Sequence, residues 1–371
     1  MQHAKRARWR VLGAPTPYCK ASDMNVLMVC SLFSLPYRVM QCIAATGAVV
    51  QVLGSIGSRG LRYSRYCRSF LGYEGLITGE RDPAFANQIN RCVRDFGVDM
   101  VVPAGPAPTR ALIASRDMID APCFPLPSLK QFDFLNDKWQ FTNSCIAHGI
   151  ACPPSTLFED RAQVAEGFKR GLLTLPAIVK PLSEDGGRGV LRLDTSNAAS
   201  QIERINYGPI IVQNFIEGED IGASVFCERG EIKSFIANRF SKGIYTTFHD
   251  PRVFAAFSRI LGPMEVDGVY HFDMRLTPDK KIYFLECNPR FYFKISLSMI
   301  AGINFIHAGL QKGADVPYSV EPGTQVKRPW ALAASLGQPW AITRRDVALL
   351  WSLLSDPIPF MRETLRIDWD S

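Results

Sequence analysis

Several features that would commit a chain to a membrane, a zinc ion or a nucleic acid are missing from these 371 residues. No apolar run approaches the roughly 20 residues needed to cross a bilayer, so no membrane partner is expected. The ten cysteines fall singly. No Cys-x-x-Cys pair and no His/Cys cluster has zinc spacing, which excludes the common structural zinc folds. Buried, reduced thiols in a cytoplasmic protein are the expectation. The turn after the first apolar run, CSLFSLPY, holds no glycine fingerprint, and no Walker spacing occurs anywhere, so neither a dinucleotide site nor a P-loop is expected. The net charge of +7 looks favourable to nucleic acid. Five cations (Lys5, Arg6, Arg8, Arg10, Lys20) and only Asp23 precede Met24, however, so four of the seven charges lie there and three remain for the body. A nucleic-acid binder carries its basic face on the folded part, so no nucleic-acid partner is expected. Residues 1–23 read as a basic extension without fixed structure.

What is present is an ordinary globular composition, 47% hydrophobic and 21% charged, long enough for two or three cores. NVLMVC at 25–30 reads as a buried parallel strand, followed by a helix over 37–46 and a strand over 48–53. A helix over 83–96 and a strand over 99–103 repeat the alternation, which predicts a parallel sheet with helices on its faces. Arg59, Arg62, Arg65 and Arg68, interleaved with Tyr63 and Tyr66, read as a solvated helix face, an anion-binding edge being the alternative. APCFPLPS at 121–128 reads as a linker and 129–148 as one helix. A second α/β region runs to 316. The last 55 residues hold one clear helix, 344–354, bounded by Asp356-Pro357.

Two constellations carry chemistry. In 271–288, HFDMRL and IYFLECN flank the polar turn TPDKK, a hairpin signature. A two-residue turn at Asp279-Lys280 sets Asp273 across from Glu286 and His271 across from Asn288. Strand alternation puts Glu286 and Asn288 on one face, with Phe284 continuing it. Two carboxylates beside an amide oxygen on one patch repel each other unless a hard divalent cation joins them; a solvent-exposed face with unrelated acids stays open as the alternative. His271 beside this face suits a hydrogen-bonding role better than ligation. Upstream, AIVK at 177–180 is a strand ending in Lys180, followed by SEDGGRGV, whose glycines can close backbone N–H groups over a phosphate. A strand over 210–213 then leads into NFIEGED, which can read adenine through backbone groups and supplies acids where a ribose needs acceptors. Taken alone, each of these is an ordinary turn.

The order of NDKW (136–139), VKPLSEDGGRGV (179–190), VQNFIEGED (212–220), FDMRL (272–276) and LECNPRF (285–291) resembles the ATP-grasp superfamily. The similarity is to carboxylate–amine ligases related to carbamoyl-phosphate synthetase large-chain domains, and it covers about 25–311. It implies an ATP-grasp fold, α+β in the grasp part, behind a pre-grasp parallel α/β domain (24–127) and before a small C-terminal extension (317–371). The grasp would divide into 128–212, with the glycine loop, and 213–316, with the metal site. By position, Lys138 and Lys180 would contact the α- and β-phosphates, and the loop from Ser183 through Gly186, Gly187 and Gly189 would cover the triphosphate. Gln213, Asn214 and Ile216 would form the adenine hinge, and Asp220 would hold the ribose. Asp273, Glu286 and Asn288 would ligate Mg²⁺ or Mn²⁺, with two ions expected and Glu286 bridging them. Arg290 would steady the transferred phosphoryl group.

The implied reaction joins a small-molecule carboxylate to an amine through an acyl phosphate. A phosphotransferase on the same fold and a non-catalytic nucleotide-binding module stay open, as does a homodimer. Two departures stand out. The hinge begins with Gln213 where glutamate is common, and NPRF is followed by Tyr292-Phe293-Lys294 where small residues are common, which puts the shape of the substrate pocket in question. Arg239, Lys242 and the arginine series are candidate anion holders.

Overall fold

The computed structural model describes residues 24–365 apart from 185, 312–315, 334–339 and 341. The basic extension 1–23 lies outside the described residues. Strands β1 (Asn25–Cys30), β2 (Val49–Gly54), β3 (Cys67–Gly72) and β4 (Met100–Ala104) form an all-parallel sheet in the order β3-β2-β1-β4. Val26 to Cys30 are completely buried, because helices cover both sheet faces; a parallel strand therefore reads as an unbroken apolar run. The helix Pro83–Phe96 has local punctuation at both ends. Asp82 accepts from the Ala84 N–H at 2.8 Å, Pro83 opens the first turn, and Gly97 closes it in the left-handed region.

Two expectations in this half are corrected. The arginine series is not one helix face: Arg59 and Arg62 sit on a short 3₁₀ helix (Ile56–Tyr63) and Arg68 on the edge strand β3. All four arginines are exposed. The stretch 121–128 is no free linker. The Val101 N–H donates to Pro122 O and the Phe124 N–H donates to Val101 O, both at 2.9 Å, and the Phe124 ring packs edge-on against Phe226 and Phe291. Burial of that one ring, together with the backbone pairing, outweighs the loosening effect of the prolines.

The second sheet is antiparallel, in the order β5-β8-β6-β7, from β5 (Ser155–Phe158), β6 (Ala177–Pro181), β7 (Leu191–Leu193) and β8 (Ile210–Asn214). The third has six strands: β9 (Glu219–Glu228), β10 (Glu231–Ser241), β11 (Ile244–Phe248), β12 (Gly268–Leu276), β13 (Ile282–Asn288) and β14 (Gln325–Lys327), in the order β13-β12-β9-β10-β11-β14. One face of it, with Val225, Tyr270, Phe272 and Phe284, packs on the helices Lys138–Ala147 and Pro251–Leu261. The other, with Phe226, Ile236, Tyr245 and Val269, joins the core of the parallel domain. That second face carries the site.

The helix read over 129–148 is broken into Leu129–Asn136 and Lys138–Ala147. Asp137 leaves helical geometry and accepts from the N–H groups of Trp139 and Gln140, so it starts a new helix in the middle of the pattern. At the C-terminal end, Pro357 opens a further helix, Pro357–Leu365, rather than ending the segment. Asp356 ties this region to the parallel domain by accepting from Ser64 Oγ (2.5 Å) and the Arg65 N–H (2.9 Å).

Candidate active site

The β12–β13 hairpin pairs His271 with Asn288 and Asp273 with Glu286, the expected register. The route to it differs. The turn has three residues between Thr277 and Lys281, and Lys280 takes a left-handed φ of 64°. From Leu276 to Met274 the pairing is therefore one residue out, and a bulge at Leu285 restores it. The bulge also reverses the face of everything between it and the turn. Phe284 consequently does not continue the Glu286 face; it packs against Phe257 and Phe272 in the opposite core.

Asp273 is the centre of a hydrogen-bonded row. Asn288 Nδ2 donates to its Oδ2 at 3.1 Å, and His271 Nε2 lies 3.3 Å from its Oδ1. The imidazole is in turn fixed by Ser224 Oγ at 2.8 Å and by a near-parallel stack on Tyr292, 4.3 Å between centroids. A Cβ at Gly222 would lie 2.9 Å from the imidazole Cε1, so only glycine leaves room for the ring there. Burial works against ionisation of Asp273, but the charge and hydrogen bond of His271 and the charge of Lys294 outweigh it and hold its carboxyl below the usual range. Arg290 Nη2 donates to Asn288 Oδ1 at 2.8 Å.

Two cavities meet at this row. The first, about 420 Å³, is lined by Lys138, Lys180, Glu184, Gly187, the hinge residues Gln213, Asn214 and Ile216, Asp220, Asp273 and Glu286. The second, about 510 Å³, lies against the parallel domain and is lined by Ser31 to Pro36, Gly105, Gly186, Gly187, Asn288, Arg290 and Tyr292 to Lys294. His271, Asp273 and Glu286 also line it. Lys138 reaches the junction because the second helix begins at it: its N–H donates to Leu182 O at 3.0 Å, its Nζ donates to Glu184 O at 2.8 Å, and the ammonium lies 3.5 Å from Glu286 Oε2. Lys180 is buried at the end of β6. Desolvation, with Lys138 and Arg275 nearby, pushes its ammonium down from its ordinary value against the pull of Glu286 and Asp273.

Of the residues singled out in the sequence, Lys180 and Arg290 stand in different cavities on either side of Asp273 and Glu286. Ser183 and Gly189 line neither. Gly189 serves the loop's conformation: its φ is +71°, and its carbonyl accepts from the Tyr207 hydroxyl. Gly186 and Gly187 also take positive φ, so the loop tip closes as only glycines permit. The Gln213 side-chain amide donates to Ser155 Oγ at 3.0 Å, and the residue is buried. Asp220 is ion-paired with Arg275 at 2.9 Å. Arg275, to which the sequence reading assigns no role, lines the first cavity with Phe215 of the 213–216 segment, and Arg192 and Arg275 stack over the Phe215 ring. Arg275 was readable, since it stands two residues from Asp273 and so shares its face. Arg239 is paired with Glu219 and points to the other face of the sheet, and neither it, Lys242 nor the arginine series lines either cavity.

No cluster of three His, Cys, Asp or Glu side chains suited to an ion occurs among the described residues. The set here is two directly opposed carboxylates and one amide, all hard oxygen donors. This donor set fits Mg²⁺ or Mn²⁺ and disfavours zinc. Among the described residues no helix is long and apolar enough to cross a membrane.

A family model described as "ATP-grasp in the biosynthetic pathway with Ter operon" matches residues 206–331. Among solved structures, an L-amino acid ligase from Bacillus licheniformis superposes with a TM-score of 0.58 at 16% identity, over 79% of this chain and 75% of the other. N5-carboxyaminoimidazole synthetase from Staphylococcus aureus, complexed with ADP, gives 0.61 at 13% identity, over 83% and 82%. The biotin carboxylase domain of Hydrogenobacter thermophilus 2-oxoglutarate carboxylase, a dimer with MgADP and bicarbonate, gives 0.58 at 15% identity, over 81% and 72%. No curated protein matches the sequence. None of these likenesses singles out the group related to carbamoyl-phosphate synthetase.

Proposed function

From the premise that this chain has the ATP-grasp fold, we propose that it is an ATP-dependent ligase joining a small-molecule carboxylate to an amine. One observation carries the reading. The same two acids, Asp273 and Glu286, form the shared wall of a lysine-lined cavity and of a second cavity containing Arg290. A phosphoryl donor in the first and an acceptor in the second would face each other across them.

A carboxylate is a poor electrophile, and phosphorylation of one oxygen by ATP gives an acyl phosphate and ADP. Attack of the amine nitrogen on the acyl carbon then breaks the C–O bond to phosphate and leaves an amide. The residues' work is positioning and charge neutralisation. Lys138 and Lys180 hold phosphate oxygens in the first cavity, and the hinge backbone at 213–216 with Asp220 holds the nucleoside. A pair of Mg²⁺ or Mn²⁺ ions, held by Asp273, Glu286 and Asn288, would neutralise phosphate charge when bound. His271 keeps the Asp273 carboxylate aimed, and Arg290 faces the acceptor carboxylate. The 183–189 loop, whose Gly187 touches both cavities, excludes water from the junction.

The test is ADP and phosphate release with Mg²⁺ over a panel of acids and amines offered pairwise. Phosphate freed only when both acid and amine are present supports the ligase. Phosphate retained on an alcohol product assigns a phosphotransferase, and nucleotide binding without any turnover assigns a binding module.

A further inference from the structure

The second cavity contains a cation that the reaction above does not use. Lys294 follows β13 at the N-terminal end of the helix Ile295–Ala301 and lines the cavity with Arg290. The two acids whose charges reach it are committed elsewhere, Asp273 to His271 and Asp220 to Arg275. Its ammonium instead lies 5.6 Å from the Phe240 ring, on which Arg328 also stacks at 4.7 Å. Burial, with the charge of Arg328, pushes it down from its ordinary value against the upward pull of Asp273 and Asp220. On the same cavity wall begins the helix Ser34–Ala44, whose Phe33 cap position offers no side-chain acceptor to the first-turn N–H groups. Much of the remaining wall is apolar, with Leu32, Phe33 and Phe293.

The geometry points to Lys294 as a specificity-determining residue: it receives a second anionic group of the acid substrate, whose reacting carboxylate lies at Arg290. The substrate is thus a small dianion with an apolar spacer, its far group a carboxylate or a phosphate. This deepens the ligase reading and rests on it. The Tyr-Phe-Lys sequence after NPRF does not close the pocket. It moulds it, with Tyr292 buried as a brace for His271, Phe293 as apolar wall and Lys294 as the far charge.

Isothermal titration calorimetry on the full chain tests this in the presence of Mg²⁺ and a non-hydrolysable ATP analogue. Succinate, L-glutamate and O-phospho-L-serine are titrated against butyrate, L-glutamine and L-serine. At least one dianion should bind about tenfold or more tighter than its partner. Lys294→Gln should remove that difference without altering the weaker ligand's affinity, and Lys294→Arg should restore most of it. The carboxylate and phosphate arms tell the two sources of charge apart. If no dianion is preferred, or if Lys294→Gln weakens mono- and dianions alike, the assignment is overturned. Nucleotide binding is read first in both proteins, so a failure of the nucleotide site appears as loss of that signal and is distinct from failure at Lys294.

Discussion

Lys180→Met should move nucleotide affinity and stability in opposite directions. Methionine keeps nearly the length and volume of lysine and removes only the charge. In the proposed complex the ammonium makes a charge-assisted hydrogen bond to a phosphate oxygen, worth about 1.5–3 kcal/mol. At 1.36 kcal/mol per decade, that is a roughly 10- to 150-fold weaker nucleotide. Without nucleotide the ammonium is a cost, since it is buried, repelled by Lys138 and Arg275, and only partly balanced by Glu286 and Asp273. The variant should therefore melt higher than the wild type at neutral pH. The sign of the pH dependence follows from Lys180's folded pKa lying below its unfolded value of about 10.4. Between those values the unfolded chain holds more protons, so the wild type gains stability as pH rises and the variant's advantage shrinks toward pH 10.5. Calorimetric titration of the magnesium complex of a non-hydrolysable ATP analogue, with melting curves from pH 7 to 10.5, reads both effects. Unchanged affinity, or a lower melting point at pH 7, would refute the reasoning.

Glu286→Gln and Asn288→Asp should each lower ADP release about a hundredfold or more with the circular dichroism spectrum unchanged; full activity in either contradicts the metal assignment. Gly222→Ala should push His271 off Asp273 and reduce turnover about 10- to 100-fold, readable in kcat with KM for ATP little changed. Asp346→Ala should cost about 3–5 kcal/mol in denaturant titration, because the buried carboxylate accepts from the Lys327 N–H and ammonium and from Thr343. Burial opposes ionisation of Asp346, yet those hydrogen bonds hold its pKa below the ordinary value. Its stabilisation is therefore present above about pH 4 and lost as pH falls through the folded value, so the variant's deficit should narrow in acid.

The parallel domain was legible where burial on both faces leaves an unbroken apolar run, as at 25–30. Strand β3 was hidden because an edge strand is only half covered, and CRSFLG carries no such run. At the hairpin, alternation correctly placed Glu286 beside Asn288, but the register came from a turn one residue too short, compensated by a bulge one residue too long. Bulges leave no signature in side-chain polarity, and so Phe284 was put on the wrong face. Asp137 was read inside a helix because aspartate serves equally as a solvated helical residue and as a cap. Lys294 sits after the strand ends, where alternation no longer says which way a side chain faces; only the fold shows that the residue lines the cavity.

Anomalous diffraction at the manganese edge, from crystals grown with Mn²⁺ and a non-hydrolysable ATP analogue, tests the central claim most directly. The account predicts metal density against the carboxylates of Asp273 and Glu286 with the triphosphate reaching Lys138 and Lys180. Metal elsewhere, or a nucleotide lying outside the lysine-lined cavity, would contradict it.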